Sequence, residues 1–239
     1  METIETKGYY ETLATEKNIW NENKKSNYYY NEHSRNDAIL KRLPKGKLEV
    51  LDLGCGDGYL SCKIGERGFN VTSIDLSQNR LDKFKAQAEK LNIKQVLGDI
   101  TKVELPSDSF DGIVCSEVIE HLPNFKAVLA EAFRLLKKGG YFIVTVPNNE
   151  KLKIISCPHC LKHFYRDDHV NSFNKQFLSS YLQEAGFRID NTTVTTSKIL
   201  NQFQYHLKLS YGILVKIADW LLTRLFSKYT FYLLIRARK

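Results

Sequence analysis

The chain has 239 residues, 43% apolar and 26% charged, which is enough for one domain with additions around a substantial core. Its 35 Lys and Arg against 27 Asp and Glu leave a net charge of +8, scattered without a compact basic stripe. That admits an anionic partner (nucleic acid, anionic lipid or an acidic small molecule) without singling one out, and it equally describes a solvated Lys-rich surface. Five cysteines in no paired framework exclude a disulfide-stapled secreted scaffold and fit a reducing cytoplasm. A polar start from Met1 to Lys7 likewise lacks the apolar core of a signal peptide.

Residues 1–46 read as a polar, aromatic helical arm, with Tyr9, Tyr10, Trp20, Tyr28, Tyr29 and Tyr30 ahead of the first strand. Such an arm could pack as ordinary surface, or fold over a sheet edge and close a site with an aromatic. Arg35 to Leu43 reads as a helix ended by Pro44 and Gly46. The main domain follows over residues 47–239. An apolar run from Leu48 reads as a buried parallel strand, ending in Gly54-Cys55-Gly56-Asp57-Gly58, and a helix runs from Tyr59 to about Arg67. Strand, glycine turn and helix place backbone N–H groups at a helix start where a ligand can lie against them. A dinucleotide fingerprint would put its third glycine at position 59, which is Tyr59, so the pattern is G-x-G-x-G preceded by Asp52.

Phe69 to Ile74 reads as the second strand, with Asp75 at its end, where a carboxylate can accept both hydroxyl hydrogens of a ribose. Ser77 is placed to cap a helix running to about Leu91. Lys94 to Leu97 forms a third strand ending in Gly98-Asp99-Ile100, and Gly112 to Cys115 a fourth, with Ser116 and Glu117 at its end. A helix from near Pro123 to Lys138 should stop at Gly139-Gly140, followed by a fifth strand over Tyr141 to Val146. A helix from Asn174 to Gly186 and strands over Phe187 to Thr195 and Thr230 to Ala237 complete the set.

Four stretches in this order, LDLGCGDG, IDLS, LGDI and FDGIVCSEVIEHL, resemble the class I S-adenosylmethionine-dependent methyltransferases from about Leu48 to Pro147. The resemblance implies an α/β fold: a Rossmann-like, seven-stranded, mostly parallel sheet with helices on both faces. The last strand should lie antiparallel between the fifth and sixth. It implies an S-adenosylmethionine site in which Asp52, Gly54, Cys55 and Gly56 hold the methionine end. Asp75 with Leu76 would hold the ribose, and Asp99 with Ile100 the adenine, while Ser116 lies alongside. The methyl group would point toward Glu117 and His121, with His121 as candidate base for an oxygen acceptor such as a small phenol.

Glu117, Glu120 and His121 form E-x-x-E-H at a strand-to-helix turn, a set able to hold a divalent metal or supply a base. The motif resembles the ubiquinone-pathway catechol O-methyltransferases and the methyltransferases of small-RNA 3′ ends. In the RNA branch a further histidine comes from downstream, where Asp168-His169 stands here; the same sequence also occurs in members that use no metal. Within an insert at 151–172, Cys157-Pro158-His159-Cys160 with His163 and His169 could complete a zinc site. Similar bacterial enzymes carry a Cys-Cys-His-His insert here with a histidine after the Phe, where this chain has Tyr165. His169 cannot serve both sites. A second insert at 198–228 is basic and amphipathic, with Trp220, and too interrupted by charge to span a membrane. It could lie on an anionic membrane, roof an apolar acceptor, or pack on the sheet or a second copy.

The sequence therefore reads as a cytoplasmic methyltransferase acting on a small-molecule oxygen. RNA or a lipid or quinone are alternative acceptors, and a non-catalytic, methyltransferase-like binding protein is the rival class.

Overall fold

The computed structural model describes Glu11 and residues 27–156, 159, 163–200 and 213–239. Seven strands form one sheet: β1 (Glu49–Leu53), β2 (Asn70–Asp75), β3 (Lys94–Leu97), β4 (Phe110–Ser116), β5 (Leu136–Pro147), β8 (Arg188–Ser197) and β9 (Thr230–Arg238). Their spatial order is β3-β2-β1-β4-β5-β9-β8. β9 runs antiparallel to both neighbours, and β1 through β5 pair in parallel. The expected Rossmann-like sheet, with its antiparallel last strand between the fifth and sixth, is therefore present. A separate hairpin of β6 (Ile154–Ser156) and β7 (His163–Tyr165) follows β5.

The central strands are apolar on both faces because both faces are covered. Leu51, Leu53, Ile113, Phe142 and Val144 pack with Val128, Leu129 and Leu182 on one side. Val50, Val114 and Ile143 pack with Ile39, Leu60, Ile64 and Phe84 on the other. The covering helices are, in chain order, α1 (Asn27–Leu40), α2 (Tyr59–Gly65), α3 (Gln78–Lys83), α4 (Lys85–Lys90), α5 (Phe125–Leu135), α6 (Lys175–Glu184) and α7 (Ile213–Leu225). Among the described residues no helix is long and apolar enough to cross a membrane.

Several boundaries differ from the sequence reading because of contacts with distant parts of the chain. α1 begins at Asn27, well ahead of Arg35, and ends at Leu40, whose carbonyl is taken by the Arg67 guanidinium. Ser77 caps α3 as expected, its hydroxyl accepting from Arg80 N at 3.2 Å. The single helix to Leu91 instead breaks at Phe84, whose fully buried ring lies under the glycine turn. The helix after Pro123 stops at Leu135, and Leu136–Lys138 are strand. There Asp108 N and Ser109 N donate to the Arg134 and Leu135 carbonyls, and Leu136 pairs with Phe110 of β4. Gly139-Gly140 thus lie inside β5, bonded to the backbone of Lys239, rather than ending the helix. Asn174 caps α6, accepting from Phe177 N at 2.9 Å.

Candidate active site

The ends of β1, β2 and β4 bring the glycine turn, Asp75 and Glu117 to one edge of the sheet. Gly54 has φ +74°, and its N–H donates to the Ile74 carbonyl at 2.9 Å. A Cβ there would lie 2.6 Å from Val118 Cγ2. The missing side chain thus lets the turn after β4 press against the turn after β1. At Gly58, φ +71°, a Cβ would lie 2.2 Å from the Phe84 ring. The turn is therefore clamped from both sides.

Asp75 is buried. Its Oδ2 accepts from Gly56 N at 2.8 Å and its Oδ1 from Ser77 N at 3.0 Å. Burial raises its pKa against these two bonds and the nearby Arg80. A carboxylate has about four lone-pair sites, so two backbone donors leave capacity for a diol. Asp52 sits one layer deeper, only 2% exposed, with Oδ2 accepting from Ser61 Oγ at 2.6 Å. Burial, with Asp75 adding negative charge, pushes it up to about 6. It braces α2 behind the glycine turn. Cys55 is half-buried, with a thiol pushed up by burial, and Leu76 is half-buried beside Asp75. Asp99 Oδ1 accepts from both Thr101 N and Thr101 Oγ1 at 2.8 Å, closing the loop after β3, while Ile100 enters the core. Glu11 reaches this edge from the arm, accepting from Ser77 Oγ at 2.9 Å and Gln78 N at 2.8 Å.

The second half of the site lies after β4 and β5. Glu117 is held at φ +56°, a left-handed conformation that costs a non-glycine residue about 1–3 kcal/mol. Asn149, Asp167 and Asp168, adjoining Glu150 and His169, share that conformation. Thr145 donates to Glu117 Oε1 at 2.9 Å and lies 3.0 Å from Ser116 Oγ. Burial raises Glu117 to about 7 against the pull of Arg35 and the Thr145 bond. Glu120 is 1% exposed, and neither of its carboxylate oxygens has a hydrogen-bond partner. Burial, then the charge of Glu117, holds its pKa well above the usual carboxylate range. His121 Nδ1 is likewise buried without a partner. Burial, helped by His169, lowers His121 to about 4, so its imidazole is neutral.

His169 meets His121 edge to face at 4.7 Å between ring centres, and its Nδ1 pairs with the Glu150 carboxylate. Burial would lower His169, but Glu150 outweighs it and the net direction is up. One ligand atom each from Glu120, His121 and His169 lies within 4.8 Å of the others. Of the two metal sets that compete for His169, the structure thus brings it to the E-x-x-E-H turn. His163 is exposed on β7, 2.8 Å from Ser156 Oγ, and Cys157 and Cys160 lie outside the described residues.

Residues that the sequence did not single out complete the wall. Arg35 of α1 grips Glu32 through both terminal nitrogens and lies 4.9 Å over the Tyr232 ring, where its charge acts on Glu117. Its buried Nε has no partner. Nothing local marks Arg35, Glu150 or Tyr232; only the fold brings them from α1, the β5 exit and β9. Thr145 did carry a signal, a polar residue near the end of an apolar strand.

Residues 27–192 match a family model described as a methyltransferase domain. A Rickettsia akari protein named ubiquinone biosynthesis O-methyltransferase is 36% identical over 106 residues, 44% of this chain and 42% of that protein. A Mycolicibacterium smegmatis protein named a probable S-adenosylmethionine-dependent methyltransferase is 30% identical over 173 residues, 70% of this chain and 62% of that protein. The chain therefore spans less than two thirds of the length of these relatives. The crystal structure of an S-adenosylmethionine-dependent methyltransferase from Mesorhizobium loti superposes with a TM-score of 0.62 at 19% identity, covering 85% of this chain and 96% of that one. That likeness is one of fold.

Proposed function

The chain belongs to the class I S-adenosylmethionine-dependent methyltransferases, and from that membership we propose that it transfers the methyl group of S-adenosylmethionine to an oxygen of a small, hydroxylated acceptor. The observation that carries this reading is the contact of Gly54 with Val118, which sets the glycine turn directly against the Glu117–His121 turn. In this reading Gly54, Cys55 and Gly56 meet the methionine end with Asp52 bracing them from behind. Asp75 with Leu76 takes the ribose, Asp99 and Ile100 take the adenine, and the acceptor lies between Ser116, Glu117 and His121. Methyl transfer is an in-line displacement, so holding the acceptor oxygen against the sulfonium carbon supplies much of the rate.

Glu120, His121 and His169, with Glu117 beside them, form a mixed carboxylate and imidazole set suited to a divalent cation. The fit rests on the unpartnered, buried oxygens of Glu120 and Nδ1 of His121, which otherwise leave hydrogen-bonding capacity unused. A bound cation would orient the acceptor oxygen and favour its deprotonated form. Glu117, fixed by Thr145, stands where it can accept the acceptor's proton. The ubiquinone-pathway names of relatives such as the Rickettsia akari protein favour a catechol-like or quinol acceptor. The arm belongs to the site in this reading through α1, which supplies Arg35. The hairpin insert at 151–172 does as well, since its end supplies His169.

The test is incubation with methyl-labelled S-adenosylmethionine and a panel of catechols, phenols and hydroxylated quinols, with and without Mg²⁺ or Mn²⁺, read by mass spectrometry. Label on an acceptor oxygen, lost in Glu117→Gln, supports the reading. Label appearing only on RNA, or on no acceptor by a protein that binds the cofactor, contradicts it.

A further inference from the structure

α7 leaves much of its apolar surface in solvent, whereas an ordinary surface helix buries its apolar residues and exposes its polar ones. Its buried residues are Val215, Asp219 and Thr223, and Val215 packs with Ala218 and Leu222 against Tyr30 and Leu200. Asp219 Oδ1 accepts from Ser197 N at 2.6 Å and Oδ2 from Ser34 Oγ at 3.1 Å, and these bonds lock the helix's rotation about its axis. Solvent meets Ile213, Leu214, Ile217, Trp220, Leu221 and Leu225, with Leu214 78% and Leu225 72% exposed. Phe226 and Tyr229 continue the patch past the helix end. A contiguous apolar surface of this kind marks an interaction site.

The charges on this face select the partner. Arg224 and Lys228 are the fully exposed ionised side chains interspersed with the apolar ones, Lys216 is part-exposed and paired with Asp37 of α1, and Asp219, the acidic residue of α7, is buried on the opposite side. A symmetric pairing of two such faces would bring two patches together whose fully exposed charges are all cationic, which penalises a second chain as occupant. An anionic bilayer answers both features: acyl chains for the apolar residues, and phosphate headgroups for Arg224 and Lys228. Trp220, with Arg224 5.6 Å over its ring, and Tyr229 are side chains that favour the bilayer interface.

We propose that the exposed face of α7 and the turn after it is a docking surface for an anionic membrane. The surface adjoins the candidate active site. Asn148, at the end of β5 and two residues before Glu150, donates to the Ser227 carbonyl at 3.4 Å and to Thr230 Oγ1 at 2.8 Å. Docking through α7 would therefore set the acceptor side of the sheet edge near the bilayer, although the docking itself does not depend on methyl transfer.

The experiment is co-sedimentation of the full chain with vesicles of phosphatidylcholine alone and of phosphatidylcholine with phosphatidylglycerol, at low and high salt. The expected result is salt-sensitive binding to the phosphatidylglycerol vesicles. It should fall about tenfold or more in Leu214→Asp/Leu221→Asp and in Arg224→Glu/Lys228→Glu, with thermal melting unchanged. The charge variant leaves the apolar residues in place, so it decides the matter if the first variant misfolds. Absence of vesicle binding, binding indifferent to both variants, or a dimer by light scattering that Leu214→Asp/Leu221→Asp splits would overturn the proposal.

Discussion

Replacing Gly54 with Ala should destabilise the fold and separate the two halves of the site, and a second substitution should undo part of that damage. The added Cβ meets Val118 Cγ2 at 2.6 Å and Cγ1 at 3.0 Å, at a backbone φ of +74°. The left-handed conformation costs alanine about 1–2 kcal/mol, and forcing the valine aside about 1–3 kcal/mol more, so Gly54→Ala should cost roughly 2–5 kcal/mol. Val118→Ala alone removes two half-buried methyl groups and should cost about 1 kcal/mol. It leaves only the Val118 Cβ, at 3.4 Å, in ordinary contact with the new side chain. In the double variant the steric part vanishes and the backbone part stays. The pair should therefore be more stable than the sum of the single effects by about 1–3 kcal/mol. Urea unfolding of the four proteins at one pH measures this directly. Effects additive within about 0.5 kcal/mol would refute the claim that Val118 occupies the space a Gly54 side chain would need.

Other consequences are as specific. Asp52 titrates near 6 in the fold because it is buried, against an ordinary 3.8. Its neutral form is the favoured one, so the stability it contributes is full below pH 3.8 and is lost as pH rises through 6. Asp52→Asn should therefore gain on the parent protein between pH 4 and 7 by up to about 3 kcal/mol, at 1.36 kcal/mol per pK unit, and a pH-independent difference in urea midpoints would contradict this. Glu120→Gln keeps the volume of a side chain that makes no hydrogen bond, so metal-free stability should move by no more than about 1 kcal/mol. In the same variant any rise in melting temperature given by Mn²⁺ should disappear; retention of that rise would remove Glu120 from the metal set.

The parallel sheet was legible because β1, β2 and β4 are short, largely buried runs, each closed by glycine or an acidic residue. The edge that carries the proposed cofactor half was legible for a related reason: Gly54 and Asp99 follow strands and Asp75 ends one, and in a parallel sheet all those ends share an edge. What escaped was set by contacts distant in sequence. Leu136–Lys138 continue a helical pattern but are drawn into the sheet by Phe110 and the chain's last residue. Phe84 fits a helix face yet breaks the helix because its ring fills the space under Gly58. Arg35 is one basic residue among 35 until the fold stacks it on Tyr232. The amphipathic character of α7 was also evident, but which stripe faces inward is decided by Asp219 meeting Ser34 and Ser197, and no local pattern encodes that.

The central claim, that the edge formed by the glycine turn and Asp75 is an S-adenosylmethionine site, is tested most directly by calorimetric titration of the purified chain with S-adenosylmethionine and S-adenosylhomocysteine. The account predicts binding of one equivalent of each in the micromolar range, abolished in Asp75→Ala with the fold intact. A folded protein that binds neither ligand, or an Asp75→Ala variant that binds both unchanged, would contradict it.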